Sequence, residues 1–398
     1  MIPSLRRQFN ERFSSKKYQA FLRRMDEVCG THVRFRLSET PIFFPKELID
    51  RMARDGEELI RQLVHNPEYR AKSDEAVPAE FTVPNEAPHP MFVQVDFGLV
   101  RDSSGELRPR LVELQAFPSL YAYQPALART YIAAYGLNSE SAHLKYFLSG
   151  LEEDSYGDLL RRAIVGEHDP ENVVLMEIHP QKQKTLPDFL LTEKMLGIRT
   201  IDIVEIKKEG SRLFYERYGK RVPIERIYNR AIVDELQRKN VRLAFDWRDE
   251  LDVEWAGHPN WYFRISKFSI PYLKHESVPE TWFLDQLKQI PADLENYALK
   301  PLYSFAGLGV VIAPKKEDIA AIPAEKHPYY ILQERMQFEP VIETPHGMTK
   351  AEVRVMYVWL EKLMPVLTII RSGRGLQMGV DHNKNMEWVG ASAGFWMD

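Results

Sequence analysis

From about residue 171, short apolar segments alternate with amphipathic ones, and this alternation constrains the fold more than any other feature. NVVLMEI has the composition of a buried strand, and LPDFLLTEKMLG has the pattern of a helix closed by Gly197. Further strand patterns follow in IRTIDIVEI, in RLFYE after the turn at Glu209-Gly210, and in RIYNRAIVDEL, which leads into a helix. Strands and helices in alternation favour a small, mainly parallel α/β sheet with crossover helices.

The segment before this alternation has a different pattern. Residues 1–90 are predicted to be mostly helical, and Met52, Leu59 and Leu63 form one helical stripe. A cluster of prolines then marks a connection: Pro78, Pro84, Pro88 and Pro90. MFVQVDFGLV and LVELQAF are strand candidates that flank the polar turn RDSSGELRPR, which contains Gly105.

With the remaining segments, the predicted fold class is mixed α/β (α+β). Residues 144 to about 160 are predicted to be helical. Near the C-terminus, ALKPL and GVVIAP flank a glycine turn, and YYILQERM, EVRVMYVWL and LMPVLTIIRS are strong strand patterns. The chain is expected to divide into a helical region, a two-strand portion with helices, a small α/β domain and a C-terminal portion: 1–90, 91–165, 166–260 and 261–398.

Composition excludes several classes of protein. The 398 residues carry 53 basic and 57 acidic side chains, so bulk electrostatic affinity for nucleic acid or an acidic membrane is not expected. A single cysteine, Cys29, excludes an intrachain disulfide and a four-cysteine zinc site. Because no apolar run reaches the roughly 18 residues of a membrane span, we expect a cytoplasmic enzyme. The sequence leaves open whether it forms a homo-oligomer.

The segment KPLYSFAGLG, which begins at Lys300, is a candidate phosphate-binding loop. Small residues allow backbone N–H groups to approach phosphate oxygens, and the lysine adds a positive charge. The loop is not a Walker A motif, because no Gly-Lys-Ser/Thr follows. A plain hairpin turn explains the same pattern.

The two strand candidates near residue 100 carry a candidate magnesium site. Alternation places Glu113 and Gln115 on one face of their strand, and a hairpin brings Asp96 beside Glu113. Two carboxylates and an amide oxygen form a hard-oxygen set that suits magnesium. The alternative is a pair of solvent-facing acids on an edge strand.

The C-terminal strands carry charged and amide side chains within apolar surroundings, where they are costly unless they are paired or face a ligand. The set comprises Gln333, Glu334, Arg335, Glu352, Arg354, Arg371, Asp381, Asn383 and Asn385. Salt bridges across a solvated sheet face are the alternative explanation.

Together these segments resemble the ATP-grasp superfamily. SKFSIPYLK, which contains Lys267, and the Lys300 loop resemble its two lysine segments, and YILQERM resembles its adenine-binding hinge. Its acidic-x-Arg strand and later arginine resemble Glu352-Val-Arg354 and Arg371, and DHNKN resembles its closing segment. The strands with Asp96 and Glu113 precede these motifs instead of following them. This order resembles the circularly permuted arrangement of the glutathionylspermidine synthetase-like and eukaryotic glutathione synthetase-like branches.

The resemblance implies an ATP-dependent ligase that joins a small-molecule carboxylate to an amine through an acyl phosphate. It implies an ATP-grasp fold in permuted order, a small parallel α/β domain before the nucleotide-binding portion, and the cofactors ATP and magnesium. An ATP-grasp-fold kinase and a non-catalytic nucleotide-binding protein are the alternatives. Tyr228, Asn229 and Arg230 resemble the end of a strand in the small domain of those branches.

The resemblance also implies a role for each candidate residue. The phosphates of ATP are assigned to Lys267, Lys300 and the backbone near Ala306, Gly307 and Gly309. Adenine and ribose are assigned to the hinge residues Gln333, Glu334 and Met336 and to Glu339. Magnesium is assigned to Asp96, Glu113 and Gln115, although the family has asparagine where this chain has Gln115. The catalytic roles fall to Arg371, Arg354 and Lys300, while Asp381, Asn383 and Asn385 compete for a contact to metal or phosphate.

Overall fold

The computed structural model describes residues 1–137, 143–303 and 309–397, and it contains both helices and strands throughout. The α-helices of these residues are α1 (Pro3–Arg12), α2 (Ser15–Cys29), α3 (Lys46–Val64), α4 (Pro67–Lys72), α5 (Tyr123–Tyr135), α6 (Glu153–Ile164), α7 (Leu186–Leu196), α8 (Val233–Arg238), α9 (Trp261–Arg264) and α10 (Lys316–Ala320). Within the same residues, no helix is long and apolar enough to cross a membrane.

The strands of the described residues form five separate sheets. They are β1 (Ile42–Phe43), β2 (Phe92–Arg101), β3 (Leu107–Gln115), β4 (Val173–Glu177), β5 (Arg199–Asp202), β6 (Lys207–Glu209), β7 (Arg212–Arg217), β8 (Lys220–Ile224), β9 (Arg226–Asn229), β10 (Glu254–Ala256), β11 (Thr281–Phe283), β12 (Tyr297–Pro301), β13 (Val311–Ile312), β14 (Tyr330–Glu334), β15 (Pro340–Thr344), β16 (Gly347–Trp359), β17 (Leu363–Gly373), β18 (Gly390–Ser392) and β19 (Gly394–Phe395).

A six-stranded antiparallel sheet combines β2 and β3 with four strands from the C-terminal region. Its order is β18-β17-β16-β2-β3, and β15 also pairs with β16. The register sets Arg354 opposite Asp96, and Asp96 opposite Glu113. Glu352 lies two residues from Arg354 and opposite Arg371. Because side chains alternate along a strand and directly opposed residues share a face, all five of these side chains project from one face of the sheet.

A smaller antiparallel sheet lies against this face, with the order β11-β14-β12-β13. Residues 335–339 connect β14 to β15 and so link the two sheets. This connection is anchored on β2, because Glu339 donates its backbone N–H to the carbonyl of Leu99 at 2.7 Å. The ring of Phe338 packs directly over Gly98 in the same strand.

Gly98 is required for this crossing, and its replacement tests how tightly the two sheets are held together. A Cβ atom at Gly98 would lie 2.0 Å from Cε1 of Phe338. Gly98→Ala is therefore expected to lower the free energy of unfolding by about 1–3 kcal/mol, measured by urea titration. Gly157→Ala is the matched control, because a Cβ at this position in α6 meets no atom within 4 Å. An equal loss in both variants would contradict the close approach at Gly98.

The alternating region contains the parallel sheet that the sequence predicts. Its order is β10-β9-β4-β5, and all three strand pairs are parallel. The predicted helix LPDFLLTEKMLG is α7, and Gly197 ends it in the left-handed conformation with φ of 78°. The segment RLFYE does not join this sheet. It lies in β7, the centre of a separate antiparallel sheet with the order β6-β7-β8, because two tight turns return the chain on itself within a few residues.

The prediction of a helix from residue 144 is wrong over its first half. Lys145 and Phe147 form β-bridges to Trp396 and Leu367, which draws this stretch onto the strands of the C-terminal region. Ser149 and Gly150 both have positive φ, which a helix cannot continue. The helix therefore begins only at Glu153, after a capping box formed by Glu152 and Ser155.

Candidate functional site

A cluster of buried and half-buried charges lies where the six-stranded and four-stranded sheets meet. The six-stranded sheet supplies Asp96, Glu113, Glu352, Arg354 and Arg371. Lys267, in the 3₁₀ segment Lys267–Tyr272, and Lys300, in β12, complete it. The cluster therefore combines four cationic side chains with three carboxylates, and sequence analysis had assigned all of them except Glu352 to a catalytic, nucleotide or metal role.

Asp96 is the most enclosed member of the cluster, with a relative exposure of 1%. Arg354 binds it in bidentate fashion: Nε donates to Oδ1 at 2.5 Å and Nη2 donates to Oδ2 at 2.7 Å. Arg371 donates to the same Oδ2 from its Nη2. Both carboxylate oxygens thus have guanidinium donors, the geometry in which charge-assisted hydrogen bonds are strongest.

Arg354 reaches beyond Asp96 to the other predicted metal ligands. Its Nη1 donates to Oε1 of Gln94 at 2.9 Å, and its Nη2 lies 3.7 Å from Oε1 of Glu113. The Oε1 of Gln94 also accepts a hydrogen bond from Nε2 of Gln115 at 2.7 Å. One guanidinium therefore connects Asp96 and Glu113 directly and Gln115 through Gln94.

The two lysines close the cluster from the opposite side. The Nζ of Lys267 lies 3.6 Å from Oε2 of Glu113. The Nζ of Lys300 donates to Oε1 of Gln333 at 2.5 Å, and Gln333 in turn donates from Nε2 to the hydroxyl of Thr281 at 3.3 Å. Gln333 is buried on β14 and orients Lys300 from the neighbouring strand.

The environment shifts the pKa values of several members. Burial raises the pKa of Asp96, but Arg354 and Arg371 outweigh burial, and the net shift of this pKa is downward. Burial raises the pKa of Glu352 above its ordinary value against the opposing effect of Arg371. Burial lowers the pKa of Lys300 from 10.5 to about 8; Lys267 adds to this shift and Glu113 opposes it. The Lys300 amine is therefore easier to deprotonate than the amine of an exposed lysine.

The hinge residues lie at the edge of the same site. Glu334 accepts a hydrogen bond from Nη2 of Arg110 at 3.0 Å, which ties β14 to β3. Glu339, assigned to ribose, accepts from Nε of Arg101 at 2.9 Å. Met336 is partly buried in the connection between the sheets. Glu334, Met336 and Glu339 lie at the end of β14 and in the connection that follows it.

The glycine loop and the closing segment are described only in part. Ala306 and Gly307 lie outside the described residues, whereas Gly309 has φ of 74° and a Cβ there would lie 3.1 Å from Pro301. Asn383 is fully buried and accepts hydrogen bonds from the backbone N–H groups of Arg374 and Gly375.

The rest of the closing segment points to structural roles. The side chain of Asn383 also donates to the carbonyls of Gln377 and Gly379, so that it clamps its own loop. Asp381 pairs with Lys184 at 2.7 Å on an exposed surface, and Asn385 is also exposed. The contact to metal or phosphate that the resemblance implies for Asp381, Asn383 or Asn385 stays a prediction.

The side chains assigned to magnesium do not form a metal-binding set in this arrangement. Magnesium takes oxygen ligands at about 2.0–2.1 Å in near-octahedral geometry. Both oxygens of Asp96 are instead engaged by arginine, and Gln115 is bound to Gln94. In the part of the chain that the structure describes, no group of three or more histidine, cysteine, aspartate or glutamate side chains could hold a metal ion.

A second group of buried charges lies at the carboxyl ends of β4 and β9. These strands are neighbours, while β5 lies beyond β4 and β10 lies beyond β9, so that the strand order reverses between them. Ligands of open parallel sheets bind in the crevice at such a switch point. Glu177 is the last residue of β4, and Arg230 directly follows β9.

Arg230 is the distinctive member of this crevice. It is 3% exposed, and within the described residues its Nε and Nη1 have no hydrogen-bond partner. Its guanidinium lies 5.0 Å from the ring centroid of Phe117 and 5.5 Å from that of Phe189. Burial raises the pKa of Glu177 to about 8, although Arg230 opposes this shift.

The crevice adjoins the charged cluster through the chain itself, because Phe117 follows Gln115 by two residues at the end of β3. The family resemblance places Arg230 at the end of a strand, and Glu177 is not among the site residues predicted from the sequence. The available signal was a charged residue at or directly after the end of each of two short strands, VVLME and RIYN. The ends of β4 and β9 are adjacent because of the strand order, which this sequence pattern does not predict.

The chain is similar to a known protein in its structure and not in its sequence. No protein-family model matches the chain, and no curated protein sequence matches it. Among solved structures, the chain is similar to a glutathione synthetase-like effector from Globodera pallida, determined in its apo form. The TM-score is 0.59 at 10% sequence identity, and the match covers 95% of this chain and 97% of that chain. The two chains therefore share an overall fold along nearly their full lengths.

Proposed function

We propose that this chain is an ATP-dependent carboxylate–amine ligase with a circularly permuted ATP-grasp fold. The observation that carries the proposal is the convergence of Lys267, Lys300, Arg354 and Arg371 where the two antiparallel sheets meet. The shared fold with a glutathione synthetase-like effector supports the same class of protein. The permuted order is supported by the six-stranded sheet, in which β2 pairs with β16 and β3 pairs with β2, although β2 and β3 precede the other strands of that sheet in sequence.

The cationic side chains suit phosphoryl transfer, in which catalysis consists mainly of positioning and charge neutralisation. Lys267 and Lys300 bind the phosphates of ATP, with Gln333 orienting Lys300. Arg371 faces the carboxylate as it accepts the γ-phosphoryl group, where its planar fork matches two oxygens. ADP is the leaving group of this first step; the amine nitrogen then attacks the acyl carbon, the C–O bond to phosphate breaks, and an amide C–N bond forms as inorganic phosphate and a proton are released.

Arg230 is proposed to hold an anionic group of a substrate. Its buried and unpartnered nitrogens lie at the switch point of the parallel sheet, and a carboxylate would supply the missing hydrogen-bond acceptors. Phe117 and Phe189 flank the guanidinium and keep it in place by cation–π contact. The substrate side would then lie beside the end of β3, next to the phosphate side.

A non-catalytic nucleotide-binding protein is the second candidate function, and one observation favours it. Asp96, which the resemblance assigns to magnesium, is fully taken up by two arginines. A chain that has lost its metal site but kept its lysines would bind a nucleotide without turning it over.

Hydroxamate formation separates the two candidates. The protein is incubated with ATP, magnesium and a panel of small carboxylates and peptides, with hydroxylamine as the nucleophile, and ADP and hydroxamate are quantified. A ligase gives both products in equal amounts, and Lys300→Met abolishes them while the exposed control Lys362→Met does not. Nucleotide binding without ADP release across the panel would favour the non-catalytic protein. No nucleotide binding at all would contradict both.

A further inference from the structure

We infer that the guanidinium of Arg354 permanently occupies the position in which a divalent cation would join Asp96, Glu113 and Gln115. The chain thus carries its own cation there and binds no metal at these side chains. This inference does not rest on the proposed function, because it concerns the protein without nucleotide or substrate.

The first argument is the position of the guanidinium among the predicted ligands. Arg354 is bidentate to Asp96 and approaches Glu113 to 3.7 Å. It also donates to Gln94 Oε1, which is the acceptor of the Gln115 amide. A salt bridge that served only Asp96 would not also reach Glu113 and the Gln94 side chain that binds Gln115. The guanidinium does so because Arg354 lies directly opposite Asp96, which in turn lies opposite Glu113.

The second argument is the cost of displacing it. Arg354 is 9% exposed, and it is flanked by β2 on one side and β17 on the other. A metal that took Asp96 would leave a buried guanidinium without its carboxylate, and breaking a buried ion pair is strongly unfavourable. Magnesium also gives up its water reluctantly, so it does not compensate by entering a crowded site.

The third argument is the charge balance. The cluster brings together four cationic side chains, Lys267, Lys300, Arg354 and Arg371, and three carboxylates, those of Asp96, Glu113 and Glu352. Divalent ions gather where carboxylates exceed cations. This cluster has the opposite balance, which suits an anion.

Titration with Mn²⁺ alone, followed by the electron paramagnetic resonance of the unbound ion, tests the inference. The wild-type protein is expected to show no stoichiometric site at these side chains. Arg354→Met removes the guanidinium and is expected to tighten Mn²⁺ binding by at least about tenfold, the scale on which groups around a metal change its affinity. Adding Glu113→Gln to Arg354→Met is expected to abolish the gain.

Arg110→Met is the matched control. It removes the same charge from β3, where Arg110 contacts Glu334 and not Asp96, and it should leave Mn²⁺ binding unchanged. A gain in Arg110→Met equal to that in Arg354→Met would overturn the inference, as would no gain in a folded Arg354→Met. If Arg354→Met fails to fold, the wild type decides: one tight Mn²⁺ site that Glu113→Gln removes contradicts the inference, and no such site supports it.

Discussion

Asp96→Ala is expected to lower the free energy of unfolding by about 3–5 kcal/mol, the usual cost of removing one partner from a buried ion pair. The physical reason is that Asp96 is the shared counter-ion of two guanidinium groups. Without it, Arg354 loses its bidentate partner, and the repulsion between Arg354 and Arg371 is offset less, by Glu352 and Glu113. Urea unfolding followed by tryptophan fluorescence measures the loss.

Glu113→Ala is the control for this prediction. Glu113 lies opposite Asp96 in the sheet, but its side chain is 27% exposed and its ion-pair distances are 3.6 and 3.7 Å. Contacts this long and partly exposed contribute about 1 kcal/mol or less. A small loss in Asp96→Ala, matching that in Glu113→Ala, would mean that Asp96 is not a structural counter-ion and would reopen its role as a metal ligand.

Lys300→Met is expected to weaken ATP binding by at least about 30-fold, since truncating a buried, hydrogen-bonded charge costs 2 kcal/mol or more. The lysine is half-buried and is fixed by Gln333, so it contributes a localised charge rather than a mobile surface one. Isothermal titration calorimetry measures the change, with Lys362→Met as the exposed control. Equal affinities in the two variants would exclude Lys300 from the phosphate site.

The pH dependence of ATP binding provides a second test of Lys300. Because burial lowers the pKa of Lys300 to about 8, the amine in the free protein loses its charge as pH rises through 8. Bound phosphate favours the charged form, so affinity should be steady between pH 6.5 and 7.5 and fall above pH 8, by at most about tenfold per unit. Lys300→Arg keeps its charge throughout this range and should remove the dependence.

Much of the candidate site could be predicted because its residues follow local rules. Asp96 and Glu113 were expected to be neighbours, since a hairpin and a period of two fix their relative positions, and β2 and β3 pair in that way. The parallel sheet followed from alternating strand and helix patterns for the same reason. These inferences depend only on residues close together in the chain.

The partner of Asp96 could not be predicted in this way. Arg354 lies 258 residues away, and its place beside Asp96 depends on the register between β2 and β16. The sequence therefore showed acids and arginines in apolar strands without showing which would pair. The oxygen-rich hairpin predicts a metal ligand at Asp96, and the family resemblance implies a catalytic role for Arg354, but the pairing between them changes what each can do.

The wrong predictions for two other segments have the same cause. RLFYE had a strand pattern, and only the two turns that flank it in space decide that it belongs to an antiparallel sheet. The stretch from residue 144 was apolar enough for a helix, but bridges to Leu367 and Trp396 hold its first part extended. Tertiary pairing overrides local propensity in both places.

Calorimetric titration of the wild-type protein with ATP, once in EDTA and once in magnesium, tests the central claim most directly. The claim is that the side chains of the cluster, and not a metal held by Asp96, neutralise the phosphates. It predicts one binding site in EDTA whose affinity lies within about tenfold, or 1.4 kcal/mol, of that in magnesium. Binding that requires magnesium and disappears in EDTA would contradict the claim.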